Sequence, residues 1–142
     1  MDSFSKQEHE RLFVSCFVAR TQRDRIGALI KSKKGRHKLR RKLAHNIEYE
    51  HRYIRTINPN RQSVDGILTL LRSMQAPRDC YVISEWPELD GMRLPLDEAL
   101  TKIVGSGMGT FVSCIPGKLA FVEMEELGRR FILTYDADRV KE

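Results

Sequence analysis

The chain is poor in cysteine, in histidine and in long apolar runs. Its three cysteines, Cys16, Cys80 and Cys114, are odd in number and widely spaced. That fits the reduced thiols of a cytoplasmic protein better than a disulfide framework. The opening MDSFSKQEHE has no cationic start followed by an apolar run, so no secretory signal is expected. The stretch poorest in charge, Ile103 to Val122, still carries Lys118, four glycines and a proline, which argues against a membrane span. Histidines 9, 37, 45 and 51 combine with no cysteine in a metal-site spacing. Glu48-x-x-His51 has no second copy to make a di-iron site, so neither a metal nor a cofactor is expected.

Charge, by contrast, is abundant and unevenly placed. Residues 1–75 carry 17 Lys/Arg against 7 Asp/Glu, and residues 76–142 carry 8 against 12, so a half at +10 joins a half at −4 in a chain of net +6. Such a division points to a polyanionic partner, or to contact between the halves.

The hydrophobic period changes at about the same place. Ser5-Lys6-Gln7-Glu8 is a capping-box pattern ahead of an apolar stripe at Leu12, Phe13, Cys16 and Phe17. Thr21 to Asp24 repeats the cap-like pattern before Ile26, Leu29 and Ile30. A third helix is expected from Arg36 to about Asn46, with Leu39, Leu43 and Ile47 four apart, and a fourth after Ser63, ended by Ala76-Pro77. The stretch Ile47 to Gln62 reads as either a helix extension or an irregular wrap.

Cys80 to Trp86 reads as a strand, Pro87 to Gly91 as a loop, and Pro95 as the first turn of a helix through Leu96, Ala99, Leu100 and Ile103. Thr110 to Ile115 has two apolar faces, Phe111 with Ile115 and Val112 with Cys114, and so belongs at the centre of a sheet covered on both sides. Pro116-Gly117 turns the chain, and strands at 118–123 and 130–135, joined by a turn near Glu126-Leu127-Gly128, form a hairpin. A helix between the first two strands implies a parallel crossover. The expected fold is therefore α+β, with N-terminal helices packed on a mixed four-stranded sheet. It makes a single domain over residues 1–142, with a basic helical half (1–76) and a β-α-β-β-β half (77–142).

The run CYVISEWPELDGMRLPLDEAL, followed by GMGTFVSCIPGKLAFVE and RRFIL, resembles a group of small uncharacterised bacterial proteins with no assigned activity. The basic KGRHKLRRKLAH resembles the N-terminal half of the same group. The resemblance covers most of the chain, implies a bacterial single-domain protein and transfers no functional residue.

The strongest functional signal is Lys31, Lys33, Lys34, Arg36, Lys38, Arg40, Arg41 and Lys42, eight basic residues among twelve positions with no acid between them. Helix packing needs only Leu39 and Leu43, and like charges at helical spacing mildly oppose an isolated helix. Contact with phosphates would offset that cost through counterion release. No zinc-finger, helix-turn-helix or RNA-recognition signature accompanies the patch, so no base specificity is expected. The solvated-face alternative is that these charges are simply hydrated or paired with the acidic half.

Three further features are weaker. The glycines of Gly105-Ser106-Gly107-Met108-Gly109 follow a helix and precede a strand, the reverse of a dinucleotide fingerprint, and read as a helix stop with a close backbone approach. Ser84, Glu85, Glu88 and Asp90 gather in one loop, where carboxylates act as a general base only if a partner holds the substrate. Ser113 and Cys114 lie within a central strand without an obvious local base. The expected function is a non-catalytic binding module contacting nucleic-acid phosphates. The alternatives are a protein-interaction module (inhibitor, immunity or assembly subunit) gripping an acidic protein, and a metal-assisted phosphodiester hydrolase.

Overall fold

The computed structural model describes residues 4–126 and 129–135. In chain order these form α1 (Lys6–Leu12), α2 (Arg23–Leu29), α3 (Lys33–Lys42), β1 (Ile54–Thr56), α4 (Val64–Ser73), β2 (Asp79–Ser84), β3 (Arg93–Pro95), α5 (Leu96–Ile103), β4 (Thr110–Ile115), β5 (Leu119–Glu123) and β6 (Arg130–Thr134). Three serines start three of the helices. Ser5, Ser32 and Ser63 each accept a hydrogen bond from a backbone N–H three residues on, at 3.1, 2.9 and 3.1 Å. Because Ser32 is the cap, α3 begins before the expected Arg36 and ends at Lys42, short of Asn46. The cap-like pattern at Thr21 to Asp24 is not used as a cap. A tight turn over Arg20–Gln22 leads into α2, and Gln22 makes no capping hydrogen bond.

After α1 the chain widens into a π turn over Phe13–Phe17, closed by the Val18 N–H donating to Phe13 O at 3.1 Å. Phe13 and Phe17 stand at its two ends. Both are buried against Phe111, with ring centroids 4.5 and 5.9 Å away.

The sheet has six strands in the order β1-β6-β5-β4-β2-β3, and every neighbouring pair is antiparallel. This corrects the expected mixed four-stranded sheet in three ways. The stretch around Ile54 supplies an edge strand, so the sheet draws on the N-terminal half as well. Arg93–Pro95 is a second edge strand rather than loop and helix start, and Pro95 ends it as the residue just before α5. An edge is where a strand proline is tolerated, because no ladder bond is lost.

The third correction follows from the second. β3 has already reversed the chain against β2, so α5 carries it from the Asp79 end back to the Ser84 end, where Thr110 lies opposite Ser84. The helix therefore connects β3 to β4, which run parallel with β2 between them. The crossover reasoning applied to the wrong pair of strands.

Both faces of the sheet are covered, as the two apolar faces of β4 require. On one side Phe13, Phe17, Ile26, Leu39, Leu43 and Tyr49 pack with Phe111, Val122, Phe131 and Leu133. On the other, Ile67 and Leu71 of α4 and Leu96, Leu100 and Ile103 of α5 pack with Val82, Val112, Cys114 and Phe121. Ile115 departs from its expected face. The register between β4 and β5 shifts between Ser113 and Ile115, and Ile115 packs beside Cys114 on the α4–α5 side. An irregularity of this kind breaks strict alternation, which periodicity alone does not foresee.

Gly117, with φ 72°, makes the expected turn, with the Lys118 N–H donating to Ile115 O at 2.9 Å. Gly109 makes the expected close approach: a Cβ there would lie 2.3 Å from Leu43 O. It thereby seats the end of the glycine stretch on the C-terminal turn of α3. The expected turn at Leu127-Gly128 lies outside the described residues, while β5 and β6 pair from Leu119↔Thr134 to Glu123↔Arg130.

Candidate functional site

Lysine and arginine are good helix formers, and Leu39 and Leu43 supply the narrow apolar seam that fixes α3 to the core. Buried Gly35 lets α3 approach α2, since a Cβ there would lie 2.4 Å from Leu29 O. With the seam and Gly35 facing inward, the outward arc carries the charge. Lys31, Lys33, Lys34, Lys38 and Arg41 are exposed, and Arg40 and Lys42 are half-buried. Arg40, Arg41 and Lys42 sit in the last turn, where cations suit the helix dipole, but Lys33 and Lys34 occupy the first turn with no acid beside them. Cations at that end oppose the dipole.

Between α2 and α3 lies a recess of about 530 Å³ lined by Arg25, Lys38, Arg41, Lys42 and Asn46. None of its four cations makes an ion pair among the described residues. The same holds for Lys31, Lys33, Lys34 and Arg40, whose guanidinium lies 2.9 Å from His37 Nδ1 instead. Arg25 was not among the residues singled out from the sequence. It belongs to α2, outside the charge run, and only the packing of the two helices brings it to the recess.

Arg36, also among the expected contact residues, is placed differently from the others: it is paired within the molecule. Its Nε and Nη2 donate to the two carboxylate oxygens of Asp90, both at 2.9 Å, and its Nη1 donates to Glu10 Oε2 at 2.5 Å. The Tyr81 hydroxyl donates a short hydrogen bond to the same Glu10 oxygen, and the Ser84 N–H donates to Asp90 Oδ1 at 3.0 Å. Burial works against the Arg36 charge, but the hydrogen bonds it donates to Asp90 and Glu10 outweigh that and hold the guanidinium above its already high pKa. Burial, then the bond to Glu10, pushes the Tyr81 phenol up as well. Arg36 is thus a clamp from α3 to α1 and to the loop after β2. It sits three residues before Leu39 on the inward side of the helix, a position that amphipathic spacing shows but that the charge run hides.

Two of the loop acids, Asp90 and Glu85, are engaged within the molecule. Asp90 is taken by Arg36 and Ser84, and Glu85 Oε2 accepts from the Gly109 N–H at 2.7 Å. Ser84 Oγ lies 2.7 Å from Thr110 Oγ1 and accepts from the Trp86 N–H at 3.0 Å. Among the described residues no group of three or more His, Cys, Asp or Glu side chains is placed to hold a metal ion.

A buried pair escaped the sequence reading. His9 Nδ1 lies 2.7 Å from Ser113 Oγ, and the imidazole stacks on Tyr81 with centroids 5.3 Å apart. The two residues are 104 positions apart, so no local spacing could reveal them. At 0% and 2% exposed they are sealed in the core, where the hydrogen bond satisfies both polar groups. Cys114, also buried, has its thiol pushed well up by burial and then by Cys80, which disfavours the nucleophilic thiolate.

Among the described residues the ion pairs joining the basic and acidic halves are Arg36–Asp90 and the exposed His45–Glu125 contact at 3.8 Å. Arg23–Glu50 and Arg130–Glu123 each stay within one half. No known protein family, curated protein or solved structure matches the chain.

Proposed function

We propose that the protein is a non-catalytic binding module that contacts nucleic-acid phosphates through the cationic face of α2 and α3. The observation that carries this reading is that seven of the eight basic residues from Lys31 to Lys42 make no ion pair among the described residues. Two of them, Lys33 and Lys34, sit where the helix dipole disfavours them. Unpaired cations held at a stability cost are explained by an anionic partner that releases counterions on binding. The engagement of Asp90 and Glu85 in bonds that shape their own loop favours binding over phosphodiester hydrolysis.

The test is a titration of a short DNA duplex and a single-stranded RNA with purified protein at several salt concentrations. The variant Lys33→Gln/Lys34→Gln/Arg40→Gln/Arg41→Gln keeps Arg36, and therefore keeps the clamp. Wild type binds both ligands without regard to sequence. The variant melts at the wild-type temperature and loses about 10- to 1,000-fold in affinity at moderate salt, with a shallower salt dependence. If wild type binds neither ligand at low salt, the nucleic-acid reading is wrong and an acidic protein becomes the partner to seek among co-purifying species.

A further inference from the structure

We infer that the recess between α2 and α3 seats a phosphomonoester, such as the 5′-terminal phosphate of a nucleic-acid strand. This rests on the polyanion reading and narrows it. Arg25 enters from α2, while Lys38, Arg41 and Lys42 enter from α3. The Asn46 main chain is fixed at the rim, its N–H donating to Lys42 O at 2.8 Å and its carbonyl accepting from Gln22 Nε2 at 3.1 Å. Its side-chain amide and the four cations are left without hydrogen bonds among the described residues. Five residues with donor side chains therefore line one concavity, and no acid is among them.

Shape and charge together choose the ligand. An internal phosphodiester carries one negative charge and, in a duplex, lies on a convex rod that offers nothing to enter a recess. A terminal phosphate projects, carries about −1.5 to −2 near neutral pH, and presents three acceptor oxygens. Two arginines and two lysines match that density of charge better than they match a single diester, because guanidinium pairs bidentately with phosphate oxygens and ammonium adds compact charge. The recess does not stand alone: Lys34, one helical turn before Lys38 and on the side of α3 that carries Lys38 and Arg41, continues the cationic surface toward the N-terminus of the helix. The next phosphate of the same strand then has a partner, which a singly phosphorylated neutral peptide would leave unused. A free nucleoside monophosphate offers the same end group without that continuation.

The experiment compares a single-stranded 12-mer carrying a 5′-phosphate with the same 12-mer ending in a 5′-hydroxyl, alongside AMP and a neutral phosphoserine peptide. Proteins are wild type, the recess variant Arg25→Gln/Lys42→Gln and the outer-face variant Lys33→Gln/Lys34→Gln, each checked by melting temperature. We expect wild type to bind the phosphorylated strand about tenfold tighter than the hydroxyl strand. The recess variant should lose that preference, and the outer-face variant should bind both strands more weakly while keeping it. AMP competing as well as the phosphorylated strand would keep the phosphomonoester seat and move its source to a free nucleotide. Equal binding of the two strands by wild type would overturn the inference while leaving the nucleic-acid reading in place. Binding of AMP with neither strand bound would do the reverse. A phosphoserine peptide that binds as tightly as the phosphorylated strand would overturn the strand-end assignment.

Discussion

Tyr49 is buried against Phe111 and Phe131, and its hydroxyl has no hydrogen-bond partner among the described residues. An unsatisfied buried hydroxyl costs about 1–3 kcal/mol, so Tyr49→Phe is expected to raise stability by about 1 kcal/mol at pH 8. The substitution also bears on alkaline unfolding. Burial pushes the phenols of Tyr49 and Tyr81 above their ordinary value. The folded state then keeps protons that the unfolded chain releases above about pH 10. Stability from this source is complete below that pH and is lost as pH rises. Tyr49→Phe removes the share that belongs to Tyr49 and leaves that of Tyr81. Urea melts at pH 8 and at pH 10.5 check both parts. A variant less stable than wild type at pH 8 would show that the hydroxyl has a partner after all.

At the scale of elements, α3 is docked by two kinds of contact on adjoining sides. Leu39 and Leu43 bury its seam, and Arg36 clamps it to Glu10 of α1 and to Asp90 of the loop after β2. Removing one partner of a buried ion pair leaves the others desolvated and unpaired. At 18% side-chain exposure water recovers part of that loss. Arg36→Gln is therefore expected to cost about 2–4 kcal/mol. Affinity for nucleic acid, measured well below the lowered melting point, should stay near wild type, because Arg36 is not on the outward arc. A variant that keeps its melting temperature but loses binding would return Arg36 to the interface. This element also shows why a charge run is a poor guide by itself: eight cations look alike in sequence, and the one nearest the seam does a different job.

For the whole molecule, the sheet takes an edge strand, β1, and the cover of one entire face from residues before 76. A fragment beginning at Arg78 would expose Tyr81, Ile83, Phe111, Val122, Phe131 and Leu133 on that face. It is expected to aggregate or to melt without cooperativity, which calorimetry and light scattering would register. A soluble fragment with a sharp transition would mean that the C-terminal half folds alone.

Much of this architecture was legible from local pattern. The Ser5 and Ser63 caps, the seam of α3, the two-sided apolar strand at Thr110–Ile115, the Pro116-Gly117 turn and the close approach at Gly109 each depend on a few neighbouring residues. So does the cationic stretch, because charge is counted along the chain. What local pattern could not show is pairing across distance. β1 and β3 are only three residues each and have no period to detect. Their presence changes the strand count, and β3 changes the direction of every strand after it relative to β2. The partners of Arg36, the Ser113–His9 hydrogen bond and the arrival of Arg25 beside Lys38, Arg41 and Lys42 likewise join residues far apart in sequence. Composition and periodicity determined which residues are apolar seams and which are cations. The packing of α3 against α2 and α1 decided which cations are spent inside the molecule and which remain for a partner, because only a folded surface brings an acid within reach of one arginine and leaves its neighbours in water.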